Sequence, residues 1–203
     1  MYTYIKRLCD IILSILGLII LSPLLLIVAM AIKIESPGPI LFYQDRIGLN
    51  KKKFKIYKFR TMYTDAPKNL PTFELENVDQ HITRVGQIIR KRSIDELPQL
   101  INIIKGDMSI IGPRPVVLTE IELIRERDKY DVFSVLPGLT GWAQINGRDA
   151  VTVNLKAKLD GEYVEKLNII NDAKIFFGTI AYVLKMEGIV EGVSEPLEKK
   201  TEI

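Results

Sequence analysis

An uncharged run of 22 residues, Ile11 to Ile32, constrains this chain more than any other feature. About 20 apolar residues are enough to cross a bilayer as a helix, so the run belongs in a membrane or in a deeply buried core. It lacks the small-residue cleavage site of a secretory signal and is expected to be retained. Ser22-Pro23 sits at its middle, where proline removes a helical hydrogen bond and bends the axis. Lys6 and Arg7 precede the run and Lys33 follows it. Cytoplasmic loops carry the lysine and arginine excess, so both flanks prefer the same side. A re-entrant helix-break-helix satisfies all of this, because an arm of about 11 residues is ~17 Å long, close to one leaflet. Ser22 is placed to satisfy a backbone group that Pro23 frees. On these residues alone, a kinked spanning helix and a buried core helix remain open.

The rest of the 203 residues is enough for one sizeable core and one catalytic-sized domain. The expected division is a membrane hairpin over 1–36, a domain over 37–188 and a disordered tail over 189–203. The net charge of +3 decides little. Its distribution says more: Lys33, Arg46, Lys51, Lys52, Lys53, Lys55, Lys58 and Arg60 face only Glu35 and Asp45 in the stretch after the apolar run. Such a patch suits anionic headgroups or phosphorylated substrates, or is simply a solvated basic face. Cys9 is the only cysteine, which excludes an intrachain disulfide and favours a reducing compartment. His81, the only histidine, excludes a multi-histidine metal site and reads as an exposed loop residue.

The pattern predicts an α/β fold, mostly helical with a few short strands. Glu35 to Pro39 is a turn cluster. Ile40 to Tyr43 reads as a strand, Asp45 to Lys53 as a hairpin-like turn, and Phe54 to Met62 as a half-buried strand with Lys55 and Lys58 or Arg60 on one face. Ala66 to His81 reads as a mobile loop. Helices are expected over Ile82 to Lys91 and Ile94 to Ile104, the latter with Leu97, Leu100, Ile101 and Ile104 inward. Met108 to Ile111 reads as a strand, Val116 to Tyr130 as an amphipathic helix, and Leu136 to Arg148 as a Gly-rich loop holding Trp142. A last helix covers Asp172 to Lys185, its aromatic face lying on the membrane or covering the core.

Two adjacent carboxylates carry the chemistry: Asp95-Glu96, within Arg90-Lys91-Arg92-Ser93-Ile94-Asp95-Glu96-Leu97-Pro98. Ser93-Ile94-Asp95-Glu96 also matches a capping box, in which Glu96 only satisfies a helix start and Asp95 only complements its dipole. Alternatively, the positive field of a helix N-terminus lowers the pKa of Asp95 and keeps it an ionised nucleophile. An aspartate can attack a phosphoryl group when Mg²⁺ and arginines neutralise the repulsion between two anions. Arg90, Arg92 and Arg114 are available, and Arg114 is held between prolines in Gly112-Pro113-Arg114-Pro115, or lies in a purely structural turn. No phosphate-binding or dinucleotide glycine fingerprint occurs, and no D-x-D clip.

Several segments in order resemble the bacterial sugar transferase family. They are Tyr57-Lys58-Phe59-Arg60-Thr61-Met62, the Ser93 to Leu100 stretch, Lys105-Gly106-Asp107-Met108-Ser109 with Gly112-Pro113-Arg114-Pro115, and Pro137-Gly138-Leu139-Thr140-Gly141-Trp142-Ala143-Gln144. More narrowly, the chain resembles the small monotopic phosphoglycosyl transferases, from the apolar run to about Lys185. The resemblance implies an enzyme of the bacterial inner membrane with its catalytic domain on the cytoplasmic face. It would pass a phosphosugar from a UDP-sugar to undecaprenyl phosphate, release UMP and start the assembly of a glycoconjugate such as an exopolysaccharide.

By that likeness Asp95 is the nucleophile and a Mg²⁺ contact, and Glu96 its partner as a base or a positioning group. Arg90 and Arg114 engage phosphate, with Lys58 and Arg148 as further candidates, and Ser22-Pro23 is the break of the re-entrant helix. Downstream glycosyltransferases are candidate partners, and nucleic acid is not. Two rivals stand beside this reading: a glycosyltransferase that releases UDP, and a membrane-anchored scaffold without activity.

Overall fold

The structure, a computed structural model, describes residues 2–66, 78–147 and 151–185. Its dominant element is helix α1, Tyr2–Glu35, a single helix with Pro23 inside it. At 1.5 Å per residue it is about 51 Å long, and its length and composition are those of a membrane-crossing helix. The expected break at Ser22-Pro23 does not split the element in two. Pro23 leaves the carbonyl of Ile19 without its usual donor, and Ser22 Oγ donates to that oxygen at 2.8 Å. The side chain thus repairs the helix where proline would interrupt it.

One stripe of α1 faces the protein. Asp10, Ser14, Val28 and Ile32 are buried, and Gly17, Leu18, Leu24 and Leu25 pack inward at the same three- and four-residue spacing. The remainder, including Ile12, Leu13, Leu16, Ile19, Ile20, Leu26, Ile27 and Met30, is apolar and exposed. A helix apolar on both faces needs two apolar partners, and only one of them is this chain.

Two strands follow, β1 (Leu41–Ile47) and β2 (Lys53–Phe59), paired antiparallel. The predicted first strand therefore runs through Ile47, and the turn is shorter, with Asn50 and Lys51 both at positive φ. Beyond α2 (Val78–His81), helix α3 (Arg84–Lys91) starts at Thr83, whose hydroxyl accepts from Gly86 N. The carboxylate of Glu35 accepts from Arg84 N and Val85 N at 2.8 and 3.0 Å, so the end of α1 caps the start of α3. His81 is half-buried at the end of a short helix rather than exposed in a loop.

The predicted second helix is interrupted. A 3-10 turn at Ile94–Glu96 precedes α4, Gln99–Lys105. Its inward residues are Gln99, Leu100, Asn102 and Ile103, not Ile101 and Ile104, because the start at Gln99 rotates the helix. Asn102 fastens it to β2, accepting from Tyr57 N and donating to Lys55 O. Strands β3 (Ser109–Ile111) and β4 (Val116–Val117) come next, then α5 (Ile121–Asp128). Val116-Val117, read as helical, extends instead on β1 opposite Arg46 and Ile47, giving a sheet ordered β2-β1-β4.

β5 (Gly138–Thr140) pairs parallel with β3, and α6 (Trp142–Ile145) follows, so the Gly-rich segment is a strand and a helical turn rather than a loop. Helix α7, Val153–Glu165, had no sequence-based expectation; α8 is Ile169–Lys185. Most of the Ala66 to His81 segment and the tail from 189 lie outside the described residues.

Candidate active site

Ser93 decides where the carboxylates point. It adopts a left-handed conformation (φ 53°, ψ 22°) and makes no side-chain cap, an uncommon state for a residue other than glycine. The capping-box reading therefore fails. The chain reverses after α3, and Asp95 and Glu96 turn inward, both buried. Glu96 sits between two cations. Lys58 Nζ, on β2, meets Oε1 at 2.7 Å. Arg114 grips both oxygens, Nη2 to Oε1 at 2.8 Å and Nη1 to Oε2 at 3.3 Å.

Asp95 forms no hydrogen bond or ion pair among the described residues and feels its neighbours through their fields. Burial pushes its carboxyl up to about 6; Glu96 pushes the same way, while Lys58, Arg90 and Arg114 oppose. The expected lowering is thus reversed. Loss of hydration outweighs the surrounding cations, as it does for other buried carboxyls.

Arg114 is aimed by backbone contacts. Gly112, Gly138 and Gly141 lie where two segments touch: a Cβ on Gly112 would meet Leu136 O at 2.5 Å, and one on Gly141 would meet Gly112 O at 2.1 Å. Gly112 N donates to Thr140 O and Gly138 N to Pro113 O, both at 2.8 Å. The Gly-Pro-Arg-Pro and Pro-Gly-Leu-Thr-Gly motifs are therefore two sides of one close contact.

Arg127, and Arg46 of the basic stretch, hold the turn as well, a role that no local pattern announces. Arg127 Nη1 donates to Arg114 O at 2.8 Å, while its Nε and Nη2 engage Asp160 Oδ2 at 2.9 and 2.6 Å. Arg46 Nη1 donates to Pro115 O at 3.2 Å, and burial together with Arg114 lowers its guanidinium to about 10. Only strand register could have revealed Arg46, because β1 meets β4 across some seventy residues of sequence.

Other expectations resolve differently. Arg60 is buried and donates to Ser36 O, Ser36 Oγ and Pro37 O, so it clamps the turn after α1 instead of facing a substrate. With Arg46 and Lys58 also turned inward, the basic stretch is not one solvated face. Trp142 Nε1 donates to Glu162 and its ring packs near Ile111, Tyr163 and Ile175, which gives it a place in the core. Arg148 lies outside the described residues.

Four cations therefore surround two carboxylates: Lys58, Arg90, Arg114 and Arg46 act on Asp95 or Glu96. A buried site with excess positive charge recognises anions, and the bidentate fork of arginine suits phosphate. No cluster of three metal-ligating side chains occurs among the described residues. The donor set nevertheless fits Mg²⁺ brought by a phosphorylated substrate. That ion is commonly held by one or two carboxylates and the substrate's own oxygens, and the Asp95 carboxylate is uncommitted.

A long apolar helix, an inward-turned acidic pair and an arginine-bearing turn clamped onto it together describe a membrane-associated fold with a cationic site. The model of bacterial sugar transferases matches residues 1–186, and the chain belongs to that family. It is 39% identical over 188 residues to the UDP-N-acetylgalactosamine-undecaprenyl-phosphate N-acetylgalactosaminephosphotransferase of Aeromonas hydrophila, covering 90% of this chain and 44% of that protein. It is 43% identical to the undecaprenyl-phosphate glucose phosphotransferase of Komagataeibacter xylinus, covering 86% of this chain and 35% of that protein. A third relative, an exopolysaccharide production protein of Sinorhizobium fredii, is 41% identical and nearly matched in length, with 90% of this chain and 87% of the relative covered. The chain thus spans less than half of the first two relatives.

Proposed function

We propose that this chain transfers a phosphosugar from a UDP-sugar to undecaprenyl phosphate and releases UMP. The observation that carries the reading is a buried aspartate with no hydrogen bond or ion pair among the described residues, beside a glutamate clamped by Lys58 and Arg114. In the first step an Asp95 oxygen attacks the sugar-bearing phosphorus, and the bond from that phosphorus to the bridging oxygen of UMP breaks. In the second, a phosphate oxygen of the acceptor attacks the same phosphorus and the aspartate leaves. Arg114, Lys58, Arg90 and Arg46 offset the charge of two anions meeting. Mg²⁺, held by Asp95 and the donor's diphosphate, would supply further neutralisation of that charge. Both oxygens of Glu96 are engaged by cations, which supports a positioning role for it over that of a base.

The relatives' names support the acceptor and the type of transfer. The site supports the covalent route, since one small pocket can serve a soluble donor and a lipid acceptor in turn.

A monotopic, re-entrant seat for α1 is part of the proposal. Near its start, Arg7 donates to Ile103 O and Ile104 O, and Asp10 accepts from Ser109 Oγ and Ile110 N. At its end, Glu35 caps α3. The same folded body holds both ends, which supports their lying on one side of the membrane, the cytoplasmic side of the inner membrane by the positive flanks. The exposed apolar face of α1 would meet lipid. The product would feed glycoconjugate assembly by downstream glycosyltransferases.

The test is incubation of detergent-purified protein with Mg²⁺ and a panel of UDP-sugars, first without acceptor and then with undecaprenyl phosphate. UMP and a protein mass increase of one phosphosugar, discharged by acceptor, are expected. Release of UDP would discard the mechanism.

A further inference from the structure

A cavity of about 280 Å³ opens beside Glu96, between the 3-10 turn, β5, α6 and α8. Its walls include Leu97, Ile110, Leu139, Ile145, Phe176 and Ile180. Two threonines line it as well, but Thr140 and Thr179 bond each other's hydroxyls at 2.7 Å, and Thr179 also donates to Ile175 O. Gln144 turns its amide nitrogen to Leu139 O. The two threonines are occupied with one another and with the backbone, and Glu96 is held by Lys58 and Arg114, while the buried Gln144 Oε1 has no hydrogen-bond partner among the described residues. A uracil ring placed here could pair its N–H with Gln144 Oε1, but the apolar walls offer its two carbonyl oxygens no donor, a cost of a few kcal/mol. Hydrocarbon meets no such cost.

The path out is apolar too. Phe176 and Ile180 line the cavity yet remain 39% and 45% exposed, and α8 also exposes Ile169, Ile170 and Phe177. Arg92, an exposed cation, also lines the wall, as does Glu96. An apolar slot lined also by Arg92 and by Glu96, the neighbour of the reacting Asp95, matches an amphiphile whose anionic head adjoins its chain.

Resting on the reaction proposed above, we infer that this cavity receives the first isoprene units of the prenyl phosphate acceptor, next to the phosphate that attacks. The volume lies just below the range of roughly 300–1,000 Å³ typical of sites for whole small ligands, which fits a short stretch of chain. α8 is then part of the acceptor site rather than merely a cover for the core.

Ile180→Trp tests this, because a part-exposed position accepts a larger ring without unfolding. In the full-length protein, adduct formation from UDP-sugar without acceptor should stay near the wild-type rate. The KM for undecaprenyl phosphate should rise about tenfold or more, as overpacking a filled slot predicts. Geranyl phosphate, a short prenyl phosphate, should lose by a similar factor, since the loss arises at the head-proximal units and not from membrane partitioning. Phe176→Ser, which removes a wall, should act in the same direction. Parallel loss of adduct formation would assign the cavity to the donor and overturn the inference. Unchanged acceptor kinetics, or a loss confined to the long acceptor, would overturn it as well. A wild-type protein that forms no adduct would sink the reaction itself, and this inference with it.

Discussion

Two arginine–carboxylate contacts of nearly equal length do opposite work in this molecule. Arg127 and Asp160 meet at 2.6 Å with side chains only 3% and 1% exposed. Arg114 and Glu96 meet at 2.8 Å, but Arg114 is 31% exposed and the contact borders a cavity. The first pair is balanced, one cation to one anion, with the remaining arginine nitrogen on a carbonyl. The second belongs to a group in which cations outnumber carboxylates and Asp95 forms no hydrogen bond or ion pair among the described residues. A sealed, balanced pair can only fix geometry. An open, unbalanced one retains a field that an incoming phosphate can use.

The largest effect that would sharpen this contrast is chemical. Asp95→Asn keeps shape and removes the nucleophile, so turnover should fall by roughly 10⁴-fold or more, with no phosphosugar adduct by mass spectrometry and an intact fold. Full activity would end the nucleophile assignment. Next comes stability. Asp160→Asn leaves the buried Arg127 uncompensated and should cost about 3–5 kcal/mol in denaturant unfolding. Glu96→Gln, part of a more open group, should cost clearly less; equal losses would erase the distinction drawn above. The double variant Arg127→Met/Asp160→Leu should recover most of the stability. It should still lower activity roughly ten- to a hundredfold, because Arg114 O loses its donor.

What could be read beforehand divides along the same line. The apolar helix, the acidic pair and the proline-bracketed arginine are local signals, and each lies where the sequence places it. The pairing of Ser22 with the carbonyl freed by Pro23 was legible too, because it spans only three residues. The supports were not. Val116-Val117 has a helical context and becomes a strand only through pairing with Arg46 and Ile47. Helix α7 buries Ala157, Asp160, Gly161 and Tyr163, a small and partly polar face that shows no apolar period. The ionisation of Asp95 is not legible in the sequence for a related reason. A helix N-terminus is visible in a sequence, but the depth to which a carboxylate is buried is not.

Arg114→Lys separates charge from geometry. It keeps the cation but loses the two-pronged grip on Glu96, and kcat/KM should drop about 10–100-fold with little change in stability. An unchanged rate would mean that charge alone suffices.

The smallest effect is in pH, and it carries opposite signs for activity and for stability. Asp95 must be ionised to attack, and its carboxyl is raised to about 6. The adduct-forming step should therefore decline on the acid side, roughly tenfold per pH unit below about 6. Stability runs the other way. The folded protein binds this proton more tightly than the unfolded chain, whose aspartate titrates near ~4, so this group's contribution improves as pH falls from about 6 toward 4. Above 6 the ionised, buried carboxylate is a standing cost. Asp95→Asn removes that cost, so the variant should gain stability relative to wild type at pH 7, with the gap closing toward pH 5. A gap that widens toward acid would mean that the cations, rather than burial, dominate Asp95.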